Sequence, residues 1–118
     1  MKTVFVVDDS DVNLITAENA LTDIYNVFTL SSAAAMFEFL KNIVPDLILL
    51  DIKMPDIDGF EALRMLKAKP MYINIPVIFL TGKGDSETED LALKSGAVDF
   101  ITKPFAEQKL LNCIKKYI

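Results

Sequence analysis

Five short apolar runs alternate along this chain with five segments whose apolar residues recur every three or four positions. Three of the runs are apolar nearly throughout, which is typical of parallel strands covered on both faces, and the last alternates more, as an edge strand does. Such alternation implies right-handed crossovers, with helices on both faces of one sheet. The sequence therefore predicts an α/β fold with a doubly wound, five-stranded parallel sheet, (βα)5. The predicted strands cover residues 3–7, 25–30, 46–50, 76–80 and 97–101.

The helical segments indicate which of their residues face the core. The fourth, roughly 86–95, is the most polar, and Gly96 follows it as a C-cap glycine does. The predicted core positions are Leu14, Ala17, Leu21 and Ile24 in the first helix, Ala33, Met36 or Phe37 and Leu40 in the second, Phe60, Leu63 and Leu66 in the third, and Leu110 or Leu111, Ile114 and Tyr117 in the last.

The length of 118 residues suits one domain, and no linker, repeat or change of composition divides it. We therefore expect a single domain over 1–118, with no output domain in this chain. No apolar run approaches the ~20 residues that cross a bilayer, and the N-terminus has no small-residue cleavage site. The single cysteine, Cys113, cannot form an internal disulfide, which is typical of a reducing compartment. A cytoplasmic protein is expected.

Charge and composition exclude several kinds of chemistry. A formal net charge of −5 repels phosphate backbones, so direct nucleic-acid binding is not expected. The chain has no histidine, which excludes histidine catalysis, histidine metal sites and phosphohistidine chemistry within it.

Polar side chains follow four of the five predicted strands. In an open α/β sheet, ligands bind outside the carboxyl ends of the strands, so these residues would share one edge. Taken singly, each has a simpler interpretation: a helix cap for the first two acids, a loop acid, a turn hydroxyl and a solvated lysine. Their joint placement at one edge by chance is much less plausible. They are Asp8 and Asp9 after the first run, Asp51 after the third, Thr81 after the fourth, and Thr102 and Lys103 after the fifth; only Ser31 and Ser32 follow the second.

Few reactions use this set of groups. Two or three carboxylates at one point form an oxygen-lined site that suits Mg²⁺, and the ion would relieve their mutual repulsion. A carboxylate is also a nucleophile toward phosphorus. Mg²⁺ and a lysine would neutralise the transferring phosphoryl oxygens, and a threonine hydroxyl could hold one of them.

Four segments of the chain together resemble those of a known family. The segments "VVDDSD", "LILLDIKMPDIDGF", "VIFLTG" and "GAVDFITKPF" have the order and spacing of the receiver domain of two-component response regulators, of the chemotaxis type. The likeness covers essentially the whole chain. It implies the flavodoxin-like strand order 2-1-3-4-5. It also implies a signalling switch rather than an enzyme, one that catalyses only its own phosphorylation and autodephosphorylation.

The resemblance implies a role for each acid. Asp51 would accept a phosphoryl group from the phosphohistidine of a partner kinase. Asp9 would bind Mg²⁺ directly and Asp8 through water. Asp51 and the backbone carbonyl of Lys53 would complete the protein ligands.

The resemblance also implies how the signal leaves the site. Thr81 would move toward the phosphoryl oxygens, and Lys103 would pair with them. Phe100 matches the switch aromatic that moves inward with Thr81, although a half-buried edge-strand phenylalanine is an equally good interpretation from the sequence. Lys103-Pro104 matches a bond that is usually cis in the family. Lys53 and Lys83 are less usual, and we interpret them as rim cations that alter the lifetime of the phosphoryl group.

The partners implied are a sensor histidine kinase or phosphotransfer protein and a downstream protein target. The target would bind the face formed by helix 4, strand 5 and helix 5, and a phosphorylation-dependent dimer is compatible with this family.

Other classes of protein with similar architectures or motifs require residues that this chain does not have. An FMN carrier of this architecture needs a hydroxyl- and amide-rich phosphate loop, where this chain has "DDSD". A haloacid-dehalogenase-type phosphatase needs a second Asp at the position of Lys53, and a P-loop needs glycine at Val77 and Ser or Thr at Gly84. Within the family, the chain could be part of a longer regulator or hybrid kinase, or a binding module that is not phosphorylated.

Overall fold

A computed structural model of the chain describes residues 1–82 and 86–118. All strands in it are parallel and lie in the order β2-β1-β3-β4-β5, which confirms the predicted fold class and strand order. Within the described residues the strands are β1 (Thr3–Val7), β2 (Asn26–Leu30), β3 (Leu47–Asp51), β4 (Val77–Gly82) and β5 (Asp99–Lys103). The helices are α1 (Asp11–Leu21), α2 (Ala33–Leu40), α3 (Gly59–Lys67), α4 (Ser86–Lys94) and α5 (Glu107–Lys115).

The last three strands run further than the apolar pattern predicts. Pairing continues past the apolar residues, with Asp51 opposite Leu80 and Thr81 opposite Thr102. Asp51 and Lys103 are therefore the final residues of β3 and β5, and Thr81 is the last residue but one of β4. This placement gives them the fixed geometry of the sheet rather than the freedom of a loop.

The core lies on both faces of the sheet, because successive side chains of each strand point to opposite faces. Phe5 and Ile48 face the layer formed by α2, α3 and α4, whereas Val6 and Leu49 face α1 and α5. Each cluster is closed by buried helix residues at the predicted spacing. These are Ala33, Met36, Leu40, Leu63 and Leu66 on the first face, and Leu14, Ala17, Leu21, Leu110 and Ile114 on the second.

Two predicted core positions are wrong, because their helices end earlier than the apolar spacing suggests. Ile24 lies three residues beyond α1 and is 39% exposed. Tyr117 lies beyond α5 and is 36% exposed, and its hydroxyl donates to Asp99 Oδ2 at 2.8 Å. In addition, β2 is an edge strand as well as β5.

Two backbone predictions are confirmed. Gly96 follows α4 with a φ of 107°, a conformation that favours glycine at the end of a helix. The Lys103–Pro104 peptide bond is cis. As for membranes, none of the helices in 1–82 and 86–118 is long and apolar enough to cross one.

Candidate functional site

Three carboxylates meet at the carboxyl edge of the sheet. Asp8 follows β1, Asp9 is next along the chain, and Asp51 ends β3, which is hydrogen-bonded to β1. One oxygen from each lies within 4.8 Å of the other two. Asp8 and Asp51 are buried, whereas Asp9 is exposed. The fold thus brings together acids that are 43 positions apart in the sequence (51 − 8).

Lys103, at the end of β5, places its ammonium group between the two buried acids. Its Nζ lies 2.9 Å from Asp51 Oδ1 and 3.5 Å from Asp8 Oδ2. The lysine side chain is 22% exposed, so its charge is partly withdrawn from water. Burial alone would lower the pKa of Lys103, but the hydrogen bond to Asp51 and the charges of Asp51 and Asp8 outweigh it and raise that pKa. One cation therefore offsets part of the charge of two carboxylates.

Asp51 remains electrostatically unfavourable in its ionised form. Burial is the largest cause and, with the charge of Asp8, raises the pKa of Asp51 from 3.8 to about 6, against the lowering effect of Lys103. A single lysine does not compensate this carboxylate fully. The site is therefore suited to a further positive charge.

Two buried oxygens at the site have no hydrogen-bond partner among the described residues. They are Asp51 Oδ2 and Thr81 Oγ1. The two side chains lie near the carboxyl ends of neighbouring strands, since Asp51 pairs with Leu80, the residue before Thr81, in the β3–β4 ladder. Buried polar atoms are normally paired, so unpaired ones of this kind indicate a ligand or functional role.

The comparison with known families agrees with this geometry. The family model described as the response regulator receiver domain matches residues 4–115. The chain belongs to this family.

Similar proteins give the receiver its context. It is 40% identical over 102 residues to the "Probable cyclic di-GMP phosphodiesterase" of Vibrio cholerae, across 86% of this chain and 23% of that protein. It is 34% identical over 113 residues to the response regulator protein TodT of Pseudomonas putida, across 95% of this chain and 49% of TodT. The solved structure of the chemotaxis protein CheY4 of Vibrio cholerae matches with a TM-score of 0.92 and 26% identity, covering 100% of this chain and 99% of that one. The chain is a receiver domain of two-component signalling, and it spans about a quarter to a half of these two curated relatives.

The receiver holds Asp8 by donors that the sequence patterns do not reveal. Ser10 N donates to Asp8 Oδ1 at 2.9 Å, and Asn13 Nδ2 donates to Asp8 Oδ2 at 3.1 Å. Ser10 is the N-cap of α1, so the simpler interpretation of Asp8 and Asp9 as its caps is wrong. The missed residue is Asn13. The signal that could have found it is an amide side chain three residues after an N-cap serine that itself follows two acids.

The start of α3 packs closely against the backbone of Asp51 in this receiver. Asp58 caps the helix by accepting from Glu61 N at 2.9 Å, and Gly59 N donates to Ile52 O at 2.8 Å. A Cβ on Gly59 would lie 2.5 Å from the backbone oxygen of Asp51, closer than side chains approach backbone. The glycine is required by this close approach.

Of the remaining predicted residues, the structure describes Phe100 and Lys53. Phe100 is half-buried on β5 and packs against the first core cluster, in agreement with either interpretation of it. Lys53 is exposed two residues after Asp51. Lys83 lies outside the described residues.

Proposed function

We propose that this receiver is a phosphorylation-dependent switch in which Asp51 accepts a phosphoryl group from a histidine kinase or phosphotransfer protein. The observation that carries the proposal is the asymmetry of the Asp51 carboxylate. Oδ1 accepts from Lys103 at 2.9 Å, whereas Oδ2 is buried without a partner among the described residues. The carboxylate is thus oriented by one oxygen and able to react at the other.

The transfer follows from these contacts. Asp51 Oδ2 attacks phosphorus, the P–O bond of an acyl phosphate forms, and the P–N bond of the donor phosphohistidine breaks with its electron pair left on the imidazole nitrogen. The Lys103 ammonium pairs with the phosphoryl oxygens, whose charge it partly neutralises. Thr81 Oγ1, free of partners in the described structure, donates to one of these oxygens.

The acids of the site fit Mg²⁺. Asp9, which is exposed, would bind the ion directly, Asp51 would bind it through its carboxylate, and Asp8 would bind it through water. The backbone carbonyl of Lys53 would complete the set, and all of these ligands are oxygens, as Mg²⁺ prefers. When bound, the ion neutralises charge on the phosphoryl oxygens and supports their transfer.

The output surface in this proposal is the face formed by α4, β5 and α5. Movement of Thr81 toward the phosphoryl group makes room for Phe100 to move inward from β5. Exposed apolar side chains on this face offer contact area to a protein partner or to a second phosphorylated copy. They include Leu93 on α4 and Val98 just before β5, which are 49% and 40% exposed.

The wider context is also a proposal. We expect residues 1–118 to act as one receiver unit whose own chemistry is limited to gaining and losing a phosphoryl group. Because the relatives are longer, a receiver within a longer regulator or hybrid kinase is the main alternative. A binding module that is never phosphorylated is the other, and the set of Asp51, Thr81 and Lys103 argues against it.

Lys53 and Lys83 are proposed to set the lifetime of the phosphoryl group. A cation at either position changes how water approaches the acyl phosphate. Lys53→Asn and Lys83→Ala are expected to change the autodephosphorylation rate by more than twofold, measured by loss of radiolabel. Rates within twofold of wild type would refute this role.

Mass spectrometry after incubation with acetyl phosphate tests the proposed function. One added phosphoryl group is expected in the presence of Mg²⁺, less in EDTA, and none in Asp51→Asn. Normal labelling of Asp51→Asn would overturn the site. No labelling of the wild type by acetyl phosphate or by a kinase extract, with no binding of beryllofluoride, would favour the unphosphorylated binding module.

A further inference from the structure

The two buried acids of the site differ in how many protein donors they receive. Asp8 is fully buried and accepts from Ser10 N at 2.9 Å, from Asn13 Nδ2 at 3.1 Å and from Lys103 Nζ at 3.5 Å. Within residues 1–82 and 86–118, the Asp51 carboxylate accepts a hydrogen bond only from Lys103 Nζ, at 2.9 Å. Among the described residues, its other oxygen has no partner. The donors at the site are therefore unevenly distributed.

The extra donors of Asp8 come from the first turn of α1. In a capping box, the third residue of a helix reaches back to the N–H of the N-cap residue. Here that N–H, on Ser10, donates to Asp8 Oδ1, and the third helical residue, Asn13, donates to Asp8 Oδ2 instead. The backbone N–H of Asn13 in turn donates to the Ser10 hydroxyl at 3.5 Å. Asn13 is held in place by its own helix while its side chain reaches the site.

This arrangement explains the unequal position of the lysine. Lys103 Nζ lies between two buried carboxylates, and charge alone would draw it toward either. Asp8 Oδ2 already accepts a hydrogen bond from the Asn13 amide, so it attracts the ammonium group less strongly than Asp51 Oδ1 does. The ammonium group lies 0.6 Å closer to Asp51 Oδ1 than to Asp8 Oδ2 (3.5 − 2.9 Å).

We propose that Asn13 is a positioning residue of this receiver: its amide satisfies Asp8 Oδ2 and thereby leaves the Lys103 ammonium with Asp51, where the phosphoryl group arrives. The inference rests on the proposed function and extends it to a residue that touches none of the reacting atoms. Without the amide, Lys103 closes on Asp8 and pairs less well with a phosphoryl group on Asp51. Partners of this kind, one step behind the reacting groups, typically change affinity by about 10–100-fold.

Three variants separate the donor from its surroundings. Asn13→Leu removes the amide, keeps a side chain that branches at Cγ and does not weaken the helix, and Asn13→Gln keeps an amide on a longer side chain. Asn19→Leu makes the same change at an exposed position of the same helix, away from the site. Asn13→Ala serves as a second truncation if the leucine variant does not fold, which thermal unfolding establishes first.

Two readouts are used, neither of them a rate of phosphorylation. The first is the NMR resonance of the Lys103 ammonium in metal-free protein, assigned by its loss in Lys103→Arg. The second is the dissociation constant of beryllofluoride at saturating Mg²⁺. We expect Asn13→Leu to shift the Lys103 resonance and weaken beryllofluoride binding about tenfold. Asn13→Gln should restore most of both, and Asn19→Leu should match wild type.

The outcomes distinguish this inference from the function beneath it. If Asn13→Leu matches Asn19→Leu in both readouts while wild type binds beryllofluoride, Asn13 does not position the lysine and the proposed function stands. If wild type binds no beryllofluoride, the proposed function fails. In that case the ammonium resonance of the metal-free variants alone decides whether Asn13 controls the position of Lys103, and an unchanged resonance overturns it.

Discussion

Replacing Asp51 by asparagine is expected to stabilise the metal-free protein at neutral pH. The native carboxylate is 2% exposed, and burial, with the charge of Asp8, raises its pKa from 3.8 to about 6. A shift of about 2 pKa units corresponds to roughly 3 kcal/mol by which the ionised group opposes folding. Asparagine has nearly the same shape without the charge, but Lys103 keeps only a neutral acceptor there. A net gain of roughly 1–3 kcal/mol is therefore expected above pH 6.

The pH dependence has a definite sign. The folded state holds the Asp51 proton more tightly than the unfolded chain does, so stability falls as pH rises from 3.8 to about 6 and is then level. The asparagine variant lacks this loss. The two proteins should differ little near pH 4 and differ fully above pH 6.

Urea unfolding in EDTA at several pH values, followed by circular dichroism, measures the effect. Asp23→Asn, an exposed acid in the turn after α1, is the matched control and should change stability by less than about 0.5 kcal/mol. Added Mg²⁺ should narrow the gap, since it stabilises the folded wild type by mass action. An asparagine variant no more stable than wild type at pH 7, or equally stabilised at pH 4 and pH 7, would refute the reasoning.

Three further perturbations test separate parts of the structure. Gly59→Ala, whose Cβ would lie 2.5 Å from the backbone oxygen of Asp51, should cost roughly 1–3 kcal/mol in urea unfolding. Gly82→Ala should cost less than half as much, because a Cβ there meets no described heavy atom within 4 Å. Lys103→Ala should still gain a phosphoryl group from acetyl phosphate with Mg²⁺, but beryllofluoride should no longer shift the β5 amide resonances; wild-type shifts there would contradict its role. Burial, followed by the effect of Asp99, raises the pKa of Cys113 from 9.0 to about 11. The free energy of unfolding of wild type should therefore fall by roughly 2 kcal/mol between pH 9 and 10.5, and Cys113→Ala should not show this fall. Equal slopes in the two proteins would contradict that placement of the thiol.

Much of the fold follows from the sequence because, in each element, the spacing of the apolar residues and the length of the segment predict the same secondary structure. Three predicted runs are buried on both faces, and their alternate residues, such as Phe5 and Val6, belong to opposite core clusters. Helix ends were harder to predict. Ile24 continues the apolar spacing of α1, but the chain turns at Thr22, where hydrogen bonding and not hydrophobicity decides the boundary.

At the candidate site, too, the sequence predicts some features and not others. Asp8, Asp51 and Lys103 were predictable because each lies at the end of an apolar strand or directly after it, and the carboxyl ends of parallel strands lie at one edge of the sheet. The position of the Lys103 ammonium group, closer to Asp51 than to Asp8, was not predictable, because it depends on the other hydrogen bonds that each carboxylate accepts. Asn13 was missed because a polar residue in the first turn of a helix usually faces solvent, and only the N-cap serine and the two acids before it distinguish one that reaches back to the site.

The site also has an order of assembly during protein synthesis. Asp51 and Lys103 are 52 residues apart, an interval that a ribosome adding about 5–20 residues per second completes in ~3–10 s. A nascent chain that has not reached β5 carries the acceptor carboxylate without its lysine. Under the proposed function, an unfinished chain that gains a phosphoryl group therefore lacks both the ammonium group that pairs with it and the strand that carries Phe100, so it does not pass on the signal.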